Sequence, residues 1–491
     1  MIQRMRHGPN YKWWVFGTIG IGTFLSVVDH GSVLIALPNI ERHFSTDLPT
    51  VQWVVVGYAL AISVLLLPMG RLGDVVGRKQ VYLGGFIIFV LAAAMGGFSP
   101  NLTTVIVAKI IQGIGSAMIQ GNGMAAIISV FPESERGKAL GAHLSVVGIG
   151  GIIGPALGGF LMSYISSLDW RIVFLFNVPV GVICILASFL ILTRDQPSQS
   201  EQRPTFDWMG AILSGAAMLF FLLVVSNGHR LGWASATITT GSILSLALFV
   251  FFIWWELKIC SPMLELRLFR RKLFALGALA GWISFLGSSV ARFMMPFYLQ
   301  RVLEYTPRQV GLFMMPPAVS MVVLGPLSGR LSDKFGWQPF TITGLALSAI
   351  ASLIFTLGLT EKTSLGLIIL VLMLQSAGNG LFNSPNNSSI LSSVERHRYG
   401  VTSALTQLIR NSANVVSIAV ATTVVVLTMG SMGLQPSLDA VSPEVATGFI
   451  AGLHRAFALM TGILLIGIVV CFLRGAGTRN SFGIRSSASK P

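Results

Sequence analysis

The sequence predicts an all-α integral membrane protein of fourteen spans, arranged as six, two and six. Three observations carry this. Of the 491 residues, 53% are hydrophobic and only 10% are charged, against roughly 25% charged in soluble chains. Apolar runs of about 20 residues, the length that crosses a hydrocarbon core, recur from one end to the other. The loop "GRLGDVVGRK" from Gly70 returns as "GRLSDKFGWQ" from Gly329, so the two ends of the chain read as related copies.

Apolar runs between charged or Pro/Gly-rich breaks place spans 1 to 6 at 13–38, 50–69, 80–98, 102–131, 138–165 and 170–192. Spans 7 and 8 fall at 208–228 and 237–257, and spans 9 to 14 at 273–303, 307–328, 339–359, 364–392, 400–430 and 454–473. The opening "MIQRMRHGPNYKWW" precedes a run too long for a signal-peptide core and lacks a small-residue cleavage site, so it reads as a retained first span. Each copied loop follows the second span of its half, at an offset of 259; Gly115 and Gly378, and Gly137 and Gly400, repeat at 263. Six spans alone are too short for that offset, and spans 7 and 8 supply the excess. The expected plan is an N-terminal bundle over 1–192, two inserted helices and linkers over 193–272, a C-terminal bundle over 273–473 and a cytoplasmic tail over 474–491. Parallel repeats around a midplane site are the architecture of alternating-access carriers.

The formal charge of +15 would suit nucleic acid, but its distribution says otherwise. With both termini cytoplasmic, 23 of the 33 lysines and arginines fall in cytoplasmic segments. Seven fall outside or at the outer ends of spans (Arg42, Arg171, Arg230, Arg301, Arg308, Lys362, Arg455) and three deep inside spans. This is the positive-inside pattern of a multi-pass protein in a cytoplasmic membrane, with lipid rather than nucleic acid around it. Cys184, Cys260 and Cys471 lack any ligand spacing and imply neither disulfide nor metal. No Walker A GxxxxGK[ST] occurs, and no cofactor is implied.

Four charges lie within spans and away from their ends: Asp29, Lys109, Arg292 and Arg410. Each costs about 2.5 to 3.5 kcal/mol at a helix centre. Asp29 is the sole acid among them, every other Asp and Glu reading as loop or span end. From the helix rise, Asp29 lies roughly 14 Å below Pro38 and Lys109 about 11 Å below the start of span 4, so the two can meet. Burial disfavours a charged carboxylate and a nearby cation favours it. Such a pair either exchanges a proton or stands as a static salt bridge that fixes packing. His30 points about 100° away and is assigned to another face. Arg292 sits 263 residues after position 29, so span 9 presents a base where span 1 presents its acid. Arg410 adds to the positive bias, and the run "GNGLFNSPNNSS" offers Asn379, Asn383, Asn386 and Asn387. These line a cavity, or else serve lipid headgroups or interhelical hydrogen bonds.

The chain here resembles the major facilitator superfamily, and specifically its fourteen-span drug/proton antiporter branch. "GRLGDVVGRK" is similar to the superfamily's loop between spans 2 and 3, with Gly70, Asp74, Gly77, Arg78 and Lys79 in register. "KIIQGIGSA" in span 4 resembles a motif that normally starts with arginine, here Lys109, and keeps Gln112, Gly113 and Gly115. "GIIGPALGG" with Gly150 fits the antiporter motif of span 5, including Gly154, Pro155, Gly158 and Gly159. "DHGSVLIALP" keeps Asp29 and the Ala36, Leu37, Pro38 spacing of span 1, with Gly31 and Leu34 where Thr and Asn are usual. In the resemblance, spans 1 and 4 line the central cavity and Gln112 becomes a substrate candidate.

Physical reasons accompany each motif. Gly70 and Gly77 permit a tight reversal, and Asp74 and Arg78, four apart, are placed to pair. The resemblance implies that this loop gates, the alternative being a topology-setting basic loop; Trp337 and Gln338 replace its Arg and Lys in the second copy. Gly150, Gly154 and Gly158 form a small-residue stripe and Pro155 removes a backbone donor, giving a bent, closely packed helix. In the branch that motif is associated with exchange and with preventing leak; packing alone is the plain reading.

The resemblance implies efflux of amphipathic small molecules or drugs by proton antiport, with no enzymatic activity, protons and a small molecule as partners, and a periplasmic adaptor left open. An exporter of anionic metabolites or lipid-like anions is the rival favoured by three buried bases against one acid. A transport-dead sensor is the rival of another class. An enzyme would need a nucleophile, base and metal ligands converging within the spans, and none is visible beyond Asp29 and His30.

Overall fold

In a hydrocarbon layer a backbone must satisfy its own hydrogen bonds, and each apolar run does so as a helix. The computed structural model describes residues 10–132, 135–165, 167–193, 207–259, 266–394, 399–435 and 443–483; the side chains of a few positions within helices, Asp74 among them, lie outside that description, as does Cys260. Among the described residues fourteen helices are long and apolar enough to cross a membrane. They are α1 Tyr11–His43, α2 Leu48–Gly73, α3 Arg78–Gly97, α4 Leu102–Met124, α5 Val146–Tyr164, α6 Asp169–Ile191, α7 Trp208–Gly228 and α8 Ala236–Lys258. After these come α9 Lys272–Val302, α10 Pro307–Ser332, α11 Trp337–Gly358, α12 Leu365–Ser392, α13 Leu405–Ser431 and α14 Glu444–Gly475.

The chain divides into two units. The first comprises 1–263 with 295–315 and 435–442, and the second 264–294, 316–434 and 443–491. The internal repeat has a direct physical counterpart in them. In the first unit α3 and α4 cross at Gly85 and Gly115, where a Cβ on Gly115 would stand 2.6 Å from the Gly85 carbonyl. In the second, α11 and α12 cross at Gly344 and Gly378, where a Cβ on Gly344 would stand 2.6 Å from the Gly378 carbonyl. These are the same positions in the two copies, offset by 259 and 263. The inserted α7 and α8 pair through Ser245 Oγ, which donates to the Ala217 carbonyl at 3.1 Å. They belong to the first unit, with Gly215 of α7 close against Val64 of α2.

Two ends differ from the sequence reading in ways that bury charge. α1 continues to His43, five residues past its expected end, and so carries Glu41 into a fully buried position. The carbonyls of Ile35 and Pro38 there accept from Gln300 Nε2 at 2.9 Å and from Arg301, whose guanidinium lies 3.7 Å from Glu41. Asp29 is therefore not the sole buried acid on a spanning helix. α14 belongs to a helix running Pro443–Gly483, so the segment expected to be a tail from 474 begins inside a helix. Arg474 is only 2% exposed. It donates to the Leu273 carbonyl (2.9 Å), Asn386 Oδ1 (2.8 Å) and Ser389 Oγ (2.6 Å), and stacks 4.2 Å from the Trp337 ring. Trp337 is the residue that replaces the loop arginine in the second copy.

Candidate functional site

α4 starts at Asn101, whose side chain accepts from the Thr104 N–H at 2.8 Å, and so fixes where Lys109 lies two turns further on. α1 and α4 bring Lys109 Nζ to 2.8 Å from Asp29 Oδ2, with side chains 2% and 0% exposed. The amides of two further residues complete the cluster. Gln112 accepts from Lys109 at 2.7 Å and donates to Asp29 Oδ1 at 3.2 Å. Asn177, on α6, donates to the same Oδ1 at 2.8 Å and to its own helix at Val173. Each contact to the Asp29 carboxylate is thus from a donor, which suits its charged form. Lys109 Nζ also stands 5.0 Å from the ring centroids of both Tyr58 and Phe174, near enough for cation–π attraction.

Beside this cluster is a ring of hydroxyls. Tyr58 OH, Ser26 Oγ and Ser116 Oγ lie 2.8 to 3.2 Å apart, and Gln120 donates to Ser116 at 2.9 Å. His30 stacks on Tyr58 with ring centroids 6.0 Å apart. The helix does turn His30 away from Asp29, yet the Tyr58 ring lies close to both His30 and Lys109. Asn177 and Tyr58 were missed from the sequence. Their one signal was a polar group within an apolar run, and nothing in the sequence says which way each faces.

The antiporter motif packs on α1. A Cβ on Gly154 would stand 3.0 Å from the Val28 carbonyl, and one on Gly158 2.7 Å from Ser32 Cα. A Cβ on Gly150 would stand 3.1 Å from the Val27 side chain, and Ser32 Oγ donates to the Gly154 carbonyl at 2.8 Å. On its other side the motif meets the start of α10: Gly159 lies against the Pro307 carbonyl, and a Cβ on Gly311 would stand 2.6 Å from the Pro155 carbonyl. This stripe holds Val28 to Ser32, and so Asp29, against α5.

Gly70 lies within the helix of α2 and not in a reversal, so its role is close packing on Gly121 of α4; after that helix Gly77 adopts φ +112°, a conformation an L side chain resists. Lys79 donates to the carbonyls of Phe189 (2.9 Å) and Leu192, capping the end of α6 with a cation. Arg78 opens α3. Asp74 lies outside the described side chains, and with it the expected Asp74–Arg78 pair.

The remaining candidates lie in the second unit. Arg292 Nη2 donates to Ser289 Oγ at 2.9 Å and to Asn414 Oδ1 at 3.5 Å. Arg410 lies 6.0 Å from the Phe285 ring. Asn379 accepts from Ser284 at 3.4 Å, and the Asn383 Nδ2 is buried with no hydrogen-bond partner. Asn386 is committed to Arg474 and to the Gly277 carbonyl.

The family profile described as Major Facilitator Superfamily matches residues 19–418. The chain belongs to that superfamily. It is a membrane-spanning transporter protein of fourteen helices. Among curated relatives it is similar to the riboflavin transporter RibZ of Clostridioides difficile, 32% identical over 82% of this chain and 85% of that protein. It is also similar to the multidrug resistance protein Stp of Mycobacterium tuberculosis, 28% identical over 87% and 78%. In fold it resembles a bacterial homologue of the human lysosomal transporter Spinster, with TM-score 0.69 and 16% identity, covering 95% of this chain and 97% of that one.

Proposed function

We propose that this transporter exports amphipathic small molecules across the cytoplasmic membrane by proton-coupled antiport, alternating access between its two sides with both termini cytoplasmic. The observation that carries the reading is the buried Asp29 carboxylate, whose hydrogen-bond partners Lys109, Gln112 and Asn177 are all donors. A proton arriving on Asp29 competes with these three donors for the carboxylate's lone pairs and leaves a neutral, weaker acceptor behind. Loss of the carboxylate charge also removes the Coulombic hold on Lys109. The ammonium retains Gln112 Oε1 and the faces of Tyr58 and Phe174, so it has somewhere to remain when Asp29 is neutral.

Proton uptake would thereby loosen α1 from α4 and α6 near the depth where a passenger binds, and proton release would draw them together. The motif on α5 grips α1 at Val28 and Ser32 on either side of Asp29, which couples that local change to helix packing. Relatives named as multidrug resistance proteins support a drug-like passenger, while the riboflavin transporter shows that relatives at similar identity carry other molecules. The test is Asp29→Asn in proteoliposomes. The variant should insert and bind substrate yet fail to concentrate it under an imposed pH gradient. Uphill transport equal to that of the unaltered protein would refute the coupling role. If the unaltered protein responds to ligands but moves none of them, the sensor reading replaces this one.

A further inference from the structure

Arg292 and Arg410, in the second unit, have no anionic partner among the described residues. Arg292 on α9 and Arg410 on α13 both lie on spanning helices, Arg410 in the second turn of its span. Arg292 reaches Asn414, one turn beyond Arg410 on α13, so the two arginines address the same short stretch of that helix. Among the described residues neither makes an ion pair, and the groups that meet them are a hydroxyl, an amide oxygen and an aromatic ring. The first unit treats its cation in the opposite way, closing Lys109 against Asp29 out of contact with solvent. Arg292 is left exposed and Arg410 half-buried.

A guanidinium cannot shed its proton in a protein, so neutralisation is not open to either residue. Charges at membrane depth face the bundle interior or a water-filled cavity and take anions or backbone carbonyls as partners, and two cations beside each other repel; Arg474 has such a carbonyl in Leu273, whereas neither Arg292 nor Arg410 has a backbone carbonyl among the partners above. One more donor waits on α13. Asn411, three residues before Asn414 and so on a neighbouring part of its face, is only 9% exposed, with its Nδ2 unpartnered while its Oδ1 accepts from Gln407 at 3.5 Å.

We infer that Arg292 and Arg410 form a subsite for the acidic group of an amphipathic organic anion, a carboxylate, sulfonate or phosphate on an aromatic or aliphatic body. The forked guanidinium groups match a planar or tetrahedral oxyanion, and the Phe285 ring under Arg410 offers an apolar surface to the body. The inference rests on the transporter reading and says which chemical class is carried. An anionic lipid headgroup offers the same oxyanion, and the experiment below separates the two.

Full-length protein is reconstituted in phosphatidylcholine vesicles under an imposed pH gradient, with carboxyfluorescein and a cationic phenanthridinium dye as probes. Carboxyfluorescein should be transported, and Arg292→Gln and Arg410→Gln should each slow it about tenfold or more, the value of one charge-assisted hydrogen bond. Arg292→Lys and Arg410→Lys keep the charge without the fork and should fall between. As a check independent of transport, carboxyfluorescein should raise the Tm of the unaltered protein in detergent but not that of a glutamine variant whose own Tm is unchanged. Transport of the cationic dye alone, or of neither dye, or anion transport indifferent to both glutamine substitutions, overturns the subsite. So does a Tm raised by phosphatidylglycerol and not by carboxyfluorescein, which assigns the arginines to a headgroup. Arginine-dependent anion transport with no response to the pH gradient would leave the subsite standing and overturn proton coupling.

Discussion

Breaking the Asp29–Lys109 pair from one side should cost far more than removing both charges. The pair is shut off from solvent, so a lone survivor keeps its full desolvation penalty, and breaking such a pair costs about 3 to 5 kcal/mol. The two single substitutions should differ. Asp29→Leu leaves the ammonium with Gln112 Oε1 and two ring faces, which partly replace the carboxylate, so it should sit near the lower figure. Lys109→Met leaves a carboxylate held by two neutral amides, Gln112 and Asn177, and should sit near the upper. The double variant exchanges an ion pair for apolar side chains of similar length and should return to within about 1 kcal/mol of the unaltered protein, or exceed it. The resulting coupling energy is read from denaturant unfolding in mixed micelles, followed by tryptophan fluorescence, as a double-mutant cycle. If the double variant loses as much stability as the two single variants together, the charges do not meet and the proposed switch has no structural basis.

Two further substitutions test the packing around the site. Gly158→Ala places a Cβ 2.7 Å from backbone Ser32 Cα and should cost about 1 to 3 kcal/mol as overpacking, whereas Gly150→Ala places one 3.1 Å from the Val27 side chain and at ordinary contact, 3.4 Å, from the Phe24 carbonyl, and should cost less; thermal unfolding in detergent ranks the two. Arg474→Met removes three hydrogen bonds and the Trp337 stack while orphaning the buried Asn386 Oδ1, so it should destabilise by about 2 kcal/mol or more, and amide exchange in α14 should rise with it.

The length and spacing of apolar runs determined the fourteen helices and their order, because a chain in hydrocarbon can satisfy its backbone only within each run. Sequence also determined the repeat, since both copies need glycine where helices cross at Gly85 and Gly115 and at Gly344 and Gly378. The depth of a residue follows from helix rise, which is why Asp29 and Lys109 were legible as partners. Which way a residue faces around its helix is a different quantity, set by which neighbour packs against it, and a run that is apolar on every side carries no mark of it. Only the tertiary structure could therefore decide that Asn177 and Tyr58 close the site around Asp29 and Lys109. It also decided that His30 leans on Tyr58, that Glu41 is buried beside Arg301, and that Arg474 belongs to the packed end of α14. The polar groups of a spanning helix find their partners across helices tens to hundreds of residues apart in the chain, so their roles are fixed by packing and not by local pattern.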